Sequence, residues 1–161
     1  MVTIIAATGR DGAIGRGGDL AFHIREDMRR FKALTTGHTV VMGRKTFESL
    51  PKGALPDRRN IVITRQTDYS APGIERAGSL DEALAMGAGE EVFIIGGGEI
   101  YRQAIGTADR MELTLIDADS PAADTFFPEY SSAEWEKLSE SEKKTDEKNG
   151  LSYSFICYCR R

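Results

Sequence analysis

The stretch Val92-Phe93-Ile94-Ile95-Gly96-Gly97-Gly98-Glu99-Ile100-Tyr101 decides the fold of this chain. Its four leading apolar residues predict a strand that is buried on both faces, and the glycines end that strand before a helical segment begins at Glu99. Backbone N–H groups are open at glycine and a helix start favours negative charge, so this turn can bind a phosphate. The stretch matches neither G-x-G-x-x-G nor G-x-x-x-x-G-K-[ST], and a tight turn without a ligand fits it equally well.

Length and composition predict a single domain spanning residues 1–161, large enough to fold without disulfides. The formal charge of −4 argues against a nucleic-acid partner. No apolar run approaches the roughly 20 residues that span a bilayer, and the N-terminus lacks the features of a signal peptide. Cys157 and Cys159 are expected to be reduced core thiols. We therefore expect a cytoplasmic protein with no membrane partner.

A glycine-rich segment follows the first apolar run, Val2 to Ala7, which predicts a central strand. Thr8 to Gly18 contains five glycines and is therefore expected to be a mobile loop. The segment fits a plain surface loop, and it also fits a lid that closes over a site and excludes water.

An acidic residue lies within the apolar arc of the next predicted helix, which begins near Arg25. At about 100° per residue, Asp27 falls among the apolar side chains, which are Ile24, Met28, Phe31 and Leu34. The opposite, solvent-facing side is expected to carry Glu26, Arg29, Arg30 and Ala33. A carboxylate on a buried face is unfavourable unless it is paired, so Asp27 is either a functional group or a solvated acid of the first helical turn.

Basic residues follow two further apolar strands. The run Thr39 to Gly43 leads into Arg44-Lys45-Thr46 and a helical Phe47 to Leu50, whereas Asn60 to Thr64 ends at Arg65. Cations at two strand ends are what a cofactor with phosphates at both ends needs, although single surface cations are common.

The order of elements predicts the fold class. A capping box at Ser79 opens another helix, and Met111 to Ile116 and Thr125 to Pro128 are extended. Trp135 to Lys143 and Leu151 to Cys159 predict a hairpin. We therefore predict a single-domain α/β fold: a mostly parallel central sheet of about eight strands, an antiparallel C-terminal hairpin and helices on both faces. A ligand is expected at the carboxyl ends of the parallel strands.

The residues together resemble dihydrofolate reductase of the bacterial type, and the match runs from end to end. It is carried by Ile4-Ile5-Ala6-Ala7, Ile14-Gly15, Asp27 with Phe31-Lys32, Val41-Met42-Gly43-Arg44-Lys45-Thr46, Leu55-Pro56, Arg58-Arg59-Asn60, Ile95 to Tyr101, Asp124-Thr125 and Phe127-Pro128. The resemblance implies NADPH-dependent reduction of 7,8-dihydrofolate to tetrahydrofolate, which supports one-carbon metabolism and nucleotide synthesis. It also implies a monomer whose partner is that small-molecule substrate, with no metal.

The resemblance also assigns site residues. Catalysis is expected to depend on Asp27, with Phe22 and Leu20 beside it. Substrate binding is expected to involve Ile5, Ala6, Asp27, Met28, Phe31, Lys32, Leu50, Leu55, Arg58, Ile95, Tyr101 and Thr114. NADPH binding is expected to involve Ala7, Ile14, Gly15, Gly43, Arg44, Lys45, Thr46, Thr64, Arg65, Gly96, Gly97, Gly98, Glu99 and Ile100. Arg44 and Arg65 suit the 2′-phosphate, and a cis peptide is expected at Gly96-Gly97.

Two features depart from the family pattern. Ala21-Phe22 replaces the usual Pro-Trp, and Phe22 lacks the indole N–H that fixes an ordered water near the pterin. Glu99 stands where some members carry a basic residue, so only its backbone N–H is expected to serve the cofactor. Two alternatives share many of these features: the related pyrimidine reductase of riboflavin synthesis, and a nucleotide-binding module that has lost catalysis.

Overall fold

The computed structural model describes residues 1–161. The helices are α1 (Arg25–Thr35), α2 (Arg44–Ser49), α3 (Leu80–Met86) and α4 (Gly98–Ala104). The strands are β1 (Val2–Thr8), β2 (Ala13–Arg16), β3 (Asp19–Leu20), β4 (Thr39–Gly43), β5 (Arg59–Ile63), β6 (Ile74–Ala77), β7 (Val92–Gly96), β8 (Arg110–Ile116), β9 (Thr125–Phe126), β10 (Trp135–Glu140), β11 (Lys144–Thr145) and β12 (Ser152–Arg160). None of the helices combines the length and apolar character needed to cross a membrane.

The central sheet is mixed and has the order β10-β12-β8-β1-β7-β4-β5-β6, with β11 paired to β12. From β8 to β6 every neighbouring pair is parallel, whereas β12 runs antiparallel to both β8 and β10. These pairings confirm the predicted α/β class with its antiparallel C-terminal strands. The carboxyl ends of β1, β4, β5 and β7 consequently meet at one edge of the sheet.

Alternating side chains of the parallel strands form two cores, one on each face of the sheet. Ile4 and Ile94 belong to the core that contains Leu80 of α3 and Ile100 of α4. Their neighbours in sequence, which include Ile5 and Phe93, pack with Phe47 of α2 and with Phe31 and Leu34 of α1. The two cores confirm helices on both faces, because strand side chains alternate with a period of two.

Helix α1 contacts the sheet through a wider arc than its apolar residues predict. Arg30 was expected to face solvent, but its guanidinium forms an ion pair with Glu112 of β8 at 2.5 Å. Glu26 accepts a hydrogen bond from the hydroxyl of Tyr153 in β12 at 2.5 Å. The expectation for both residues was wrong, since β8 and β12 widen the sheet beneath this helix and long side chains can reach them.

Four short strands were not predicted, and one of them is β11, which pairs with β12. The glycine-rich segment contains β2, which pairs with β3 and with β9 in a small second sheet, so the expectation of a plain loop was wrong for that part. Strand β6 lies at the edge of the central sheet and carries the polar residues Glu75 and Arg76. An edge strand can be polar because only one side is paired, and its sequence therefore lacks the apolar run of a buried strand.

Candidate active site

Apolar side chains of α1, of β1 and β7, and of the segment that follows α2 form one cluster, which we take as the wall of a ligand groove. Its walls are five side chains of one hydrophobic cluster, all of them expected to bind substrate: Ile5, Phe31, Leu50, Leu55 and Ile95. Ile5 is buried, whereas the other four are half-buried and therefore present apolar surface to the groove. A flat aromatic ligand gains free energy by covering such surface.

Asp27 projects from the first turn of α1 beside this groove and is half-buried. The hydroxyl of Thr114, in β8, donates a hydrogen bond to Asp27 Oδ1. Burial raises the pKa of Asp27 above its usual range, while the Thr114 hydrogen bond and the charge of Arg30 oppose that rise. The carboxylate therefore has one oxygen oriented by the protein and its proton affinity increased by its surroundings.

Tyr101 approaches the same region from the other face of the sheet. Its side chain is buried in the core beneath α4, and its hydroxyl donates a hydrogen bond to the carbonyl of Ile5 at 2.7 Å. Burial, followed by the nearby charge of Asp27, raises the pKa of Tyr101 well above its usual range. Ala6 also faces that opposite core, so its side chain does not line the groove.

Arg58 lies beside Leu55, at one end of the groove wall. Its Nε donates to the carbonyl of Pro56 at 2.9 Å, and its Nη1 donates to Thr35 Oγ1 at 3.1 Å. Burial lowers the pKa of Arg58, and no carboxylate forms an ion pair with it. A half-buried guanidinium held in place without a counterion is suited to bind an external carboxylate. Lys32, expected nearby, is exposed.

The glycine turn after β7 is tightly packed and contains the expected cis peptide between Gly96 and Gly97. Gly96 has a φ of +129°, a conformation that side chains disfavour. A Cβ on Gly97 would lie 3.1 Å from Thr46 Oγ1, and one on Gly98 would lie 2.7 Å from Thr125 Cγ2. A side chain at Gly97 or Gly98 would therefore meet protein atoms, and the turn is packed tightly against α2 and β9.

The cationic side chains near this edge of the sheet differ in whether they already form an ion pair. Arg44 Nη1 donates to Glu48 Oε1 at 2.7 Å, so its charge is partly neutralised. Lys45 and Arg65 are exposed and form no ion pair. Thr64 is buried, and its hydroxyl oxygen accepts a hydrogen bond from the Gln66 N–H at 3.2 Å. Arg65 is therefore the more available guanidinium for an anionic ligand.

Comparison with known proteins connects this geometry to a family. The family model described as dihydrofolate reductase matches residues 1–160. The chain belongs to the dihydrofolate reductase family. It is 47% identical to the dihydrofolate reductase of Neisseria meningitidis serogroup A over 160 residues, which cover 99% of this chain and 98% of that protein.

Two further relatives support this membership. The type 3 dihydrofolate reductase of Salmonella typhimurium is 43% identical over 162 residues, covering 100% of this chain and 99% of that protein. The solved structure of the Enterococcus faecalis dihydrofolate reductase, complexed with NADP(H) and RAB-propyl, superimposes with a TM-score of 0.92 at 34% identity. That match covers 100% of this chain and 96% of the other, so the two chains share one fold over nearly their whole length.

Three further residues expected at the site of a dihydrofolate reductase lie outside the groove cluster. Leu20, in β3, is 42% exposed, and Met28, in α1, is 49% exposed. Phe22 instead packs against the cluster of Ile24, Ile116 and Tyr153. Leu20 and Met28 thus offer open apolar surface at the rim, where a bound ligand would cover them.

The segment around β2 forms hydrogen bonds with β9 and with Asp124, the residue before it. Gly17 N–H donates to Asp124 Oδ2 at 2.9 Å, and Gly15 pairs with Thr125 in the small sheet. Ile14, expected to contact the cofactor, packs against the core that contains Ile100. These contacts place the β2 segment close to the glycine turn, because Thr125 Cγ2 lies 2.7 Å from where a Cβ on Gly98 would be.

The structure identifies site residues that the sequence did not. Thr35 orients Arg58, and its hydroxyl also donates to the Phe31 carbonyl at 2.8 Å. Arg30, three positions after Asp27, is paired with Glu112, although 82 positions separate Arg30 from Glu112. A helical pattern shows which side of a helix is apolar, but it contains no information about which strand lies beneath a given charged residue.

A second concave region of the surface does not resemble a catalytic site. A cavity of about 610 Å³ reaches Arg58, but its lining contains no hydrophobic residue and includes Arg59, Glu90 and Glu91. Arg59 there is already paired with Glu75 and Glu90. No group of three or more His, Cys, Asp or Glu side chains is arranged to hold a metal ion. We therefore place the site in the groove.

Proposed function

We propose that this chain reduces 7,8-dihydrofolate to 5,6,7,8-tetrahydrofolate with NADPH as the hydride donor. The observation that carries the proposal is Asp27, a half-buried carboxylate oriented by Thr114 at an apolar groove beside the glycine turn. The Enterococcus faecalis relative is complexed with NADP(H), which supports the choice of cofactor. Family membership supports the choice of substrate.

Asp27 binds and orients the pterin ring. The Thr114 hydroxyl occupies one lone pair of Oδ1, so both carboxylate oxygens remain able to accept N–H donors from the ring. Two parallel, charge-assisted hydrogen bonds fix the plane of the ring and polarise it. Burial raises the pKa of Asp27 above its usual range, and N5 receives its proton through water.

The groove and Arg58 position the rest of the substrate. Phe31, Leu50 and Ile95 present apolar surface for the pterin and benzoyl rings, which also excludes water from the reacting atoms. Arg58, fixed by Pro56 and Thr35, pairs with the α-carboxylate of the glutamate. A substrate held at both ends in this way has little freedom to leave the reactive geometry.

The glycine turn leads into the start of α4, where backbone N–H groups and the helix dipole favour a pyrophosphate. Arg65, with Arg44 and Lys45, supplies positive charge for the 2′-phosphate, and Thr64 lies at the same strand end. When NADPH is bound, its nicotinamide supplies the hydride for the adjacent ring carbon of the pterin.

Two departures from the family pattern have structural counterparts. Phe22 has no N–H to hold a water, so proton delivery relies on Asp27 and on solvent at the groove mouth. The Glu99 carboxylate accepts hydrogen bonds from Arg102 at 2.6 Å and from Gln103 at 3.3 Å within its own helix. That pairing reduces its repulsion of a phosphate and leaves its backbone N–H for the cofactor.

We further propose that residues 1–161 act as one reductase domain and as a monomer in the cytoplasm. The continuous central sheet, to which both ends of the chain contribute, supports a single domain. The free thiols of Cys157 and Cys159 are compatible with a reducing compartment.

The proposal is tested by measuring NADPH oxidation by the purified chain with dihydrofolate. Turnover with dihydrofolate and formation of tetrahydrofolate are the expected result. The pyrimidine intermediate of riboflavin synthesis is the control substrate, and it should not be reduced. Binding of both ligands without turnover would instead identify a silent binding module, and reduction of the pyrimidine would favour the related reductase.

A further inference from the structure

A second pair of charges lies beneath α1, next to Asp27. Arg30 follows Asp27 by three positions and therefore shares its side of the helix. Arg30 Nη2 lies 2.5 Å from Glu112 Oε2, and the side chains are 23% and 14% exposed. The guanidinium carbon of Arg30 also lies 4.5 Å from the centre of the Phe155 ring. Arg30 is thus fixed by an ion pair and by an aromatic ring.

The strand register places this pair beside the partner of Asp27. Glu112 precedes Thr114 by two positions in β8, so both side chains project from the same face of the sheet. Phe155 of β12 stands directly opposite Thr114, and Cys157 stands opposite Glu112. Helix α1 and strands β8 and β12 therefore converge on a compact cluster that contains Asp27.

Three titratable groups around Asp27 and Glu112 are neutral at physiological pH. Tyr101, from α4, has a pKa raised by burial and by the Asp27 charge. Tyr153, from β12, has a pKa raised to about 12, first by burial and then by its hydrogen bond to Glu26. Burial, assisted by Glu112, raises the pKa of the Cys157 thiol to about 11.

Glu26, the other acidic residue in the first turn of α1, is hydrogen-bonded to residues of β11 and β12. Glu26 accepts hydrogen bonds from Lys144 at 2.8 Å and from Tyr153 at 2.5 Å, and both contacts lie towards β11 and β12. Asp146 is buried at the start of α1 and accepts a hydrogen bond from the Arg25 N–H at 3.3 Å. Arg30 is the nearby cation that acts on Asp27, and Glu112 is its ion-pair partner.

We propose that Arg30 and Glu112 are a positioning pair for Asp27: Arg30 favours the ionised carboxylate, and Glu112, which is paired with Arg30, offsets part of that cation's charge. The proposal rests on the proposed function, because the protonation of Asp27 matters for turnover only if Asp27 binds the pterin. Neither residue touches the reacting atoms. Their effect is exerted through the charge and the orientation of Asp27.

The test reads the protonation of Asp27 directly in the ligand-free protein. The carboxyl carbon of Asp27 is followed by NMR in a pH titration of protein labelled at aspartate, with Asp27→Asn used for assignment. Removing the cation in Arg30→Gln is expected to raise the Asp27 pKa by about one pH unit. Removing the anion in Glu112→Gln is expected to lower it, and the double variant should titrate near the wild type.

Two controls separate this electrostatic role from a purely structural one. Arg29→Gln removes the same charge from an exposed position of the same helix and should leave the titration almost unchanged. Arg30→Lys keeps the charge and should titrate near the wild type. Loss of packing would move both single variants in the same direction. Shifts of the same sign, or shifts no larger than that of Arg29→Gln, would overturn the proposal.

The kinetic measurement then connects the pair to turnover. The pH midpoint of kcat with saturating NADPH and dihydrofolate is expected to move up in Arg30→Gln and down in Glu112→Gln. If Arg30→Gln does not fold, Glu112→Gln decides alone, since only a downward shift agrees with the proposal. Wild-type protein that does not reduce dihydrofolate would contradict the proposed function, whereas the NMR titration would still decide the role of the pair.

Discussion

Replacing Asp27 with asparagine separates the charge of this residue from its shape. The asparagine side chain keeps an Oδ1 that can accept the Thr114 hydrogen bond, so the local structure is preserved. Its amide nitrogen cannot accept a hydrogen bond, and one pterin donor would therefore face another donor. A hydrogen bond to a charged group contributes about 1.5–3 kcal/mol. Losing one such bond and weakening a second corresponds to about 3 kcal/mol, or roughly a 100-fold fall in kcat/KM.

The assay is initial-rate oxidation of NADPH with dihydrofolate from acidic to neutral pH. The deficit of Asp27→Asn should be greatest at neutral pH and smaller in acid, where substrate already protonated in solution needs less help from the enzyme. Asp68→Asn removes the same charge from an exposed position remote in sequence from the groove residues and should retain wild-type rates. Wild-type kcat/KM in Asp27→Asn at both acidic and neutral pH would remove Asp27 from the mechanism.

The same substitution should increase stability. Burial raises the Asp27 pKa in the folded state, so folding favours the protonated acid. That favourable contribution is fully present below the unfolded pKa of about 3.9 and is lost as pH rises through the folded pKa. The Tm of Asp27→Asn should therefore exceed that of the wild type at neutral pH, with a smaller difference in acid. A lower Tm at neutral pH would show that the carboxylate is not held in an unfavourable environment.

Three further substitutions examine the remaining parts of the site. Arg58→Leu should raise KM for dihydrofolate at least tenfold with little change for NADPH, because a paired guanidinium contributes about 1.5–3 kcal/mol; equal changes for both ligands would contradict its assignment. Arg65→Ala should raise KM for NADPH far more than KM for NADH. The increase for NADPH should also exceed that caused by Arg44→Ala, since Arg44 is already paired with Glu48. Equal effects of Arg65→Ala on the two cofactors would exclude a role at the 2′-phosphate. Gly98→Ala places a Cβ 2.7 Å from Thr125 Cγ2 and should lower the free energy of unfolding in urea by about 1–3 kcal/mol. In the control variant Gly106→Ala, the new Cβ meets nothing within 4 Å and stability should not change. Equal stabilities of the two variants would show that the glycine turn has room for a side chain.

The buried part of the fold could be predicted from the sequence because its pattern is local. Strands β1, β4 and β7 are nearly continuous apolar runs, a pattern that is typical of strands buried on both faces. Strand β6 and the β2–β3 hairpin were missed because a polar edge and a glycine-rich segment lack such a run. Their pairing depends on strands that lie far away in sequence.

The residues of the candidate site likewise include some that the sequence pattern could identify and some that it could not. Asp27 was singled out from the helical pattern alone, since a charge within an apolar arc is visible in the sequence. Its partner Thr114 was supplied by the family resemblance, because 87 positions separate the two residues. Arg30 was placed on the wrong side, since the helical pattern does not reveal how far the sheet extends beneath α1 or that Glu112 lies within reach.

The side of α1 that faces the sheet is difficult to explain by stability alone. Three charged groups, Asp27, Arg30 and Glu112, are removed from much of their solvent there, and replacing a buried ion pair with apolar residues is often neutral or stabilising. Asp27 is moreover held where burial opposes its charge. A chain selected only to fold would place leucine or methionine at these positions. Their charges become understandable once Asp27 must bind a polar ring, because an acid needed at a dry groove requires nearby charges that control its protonation.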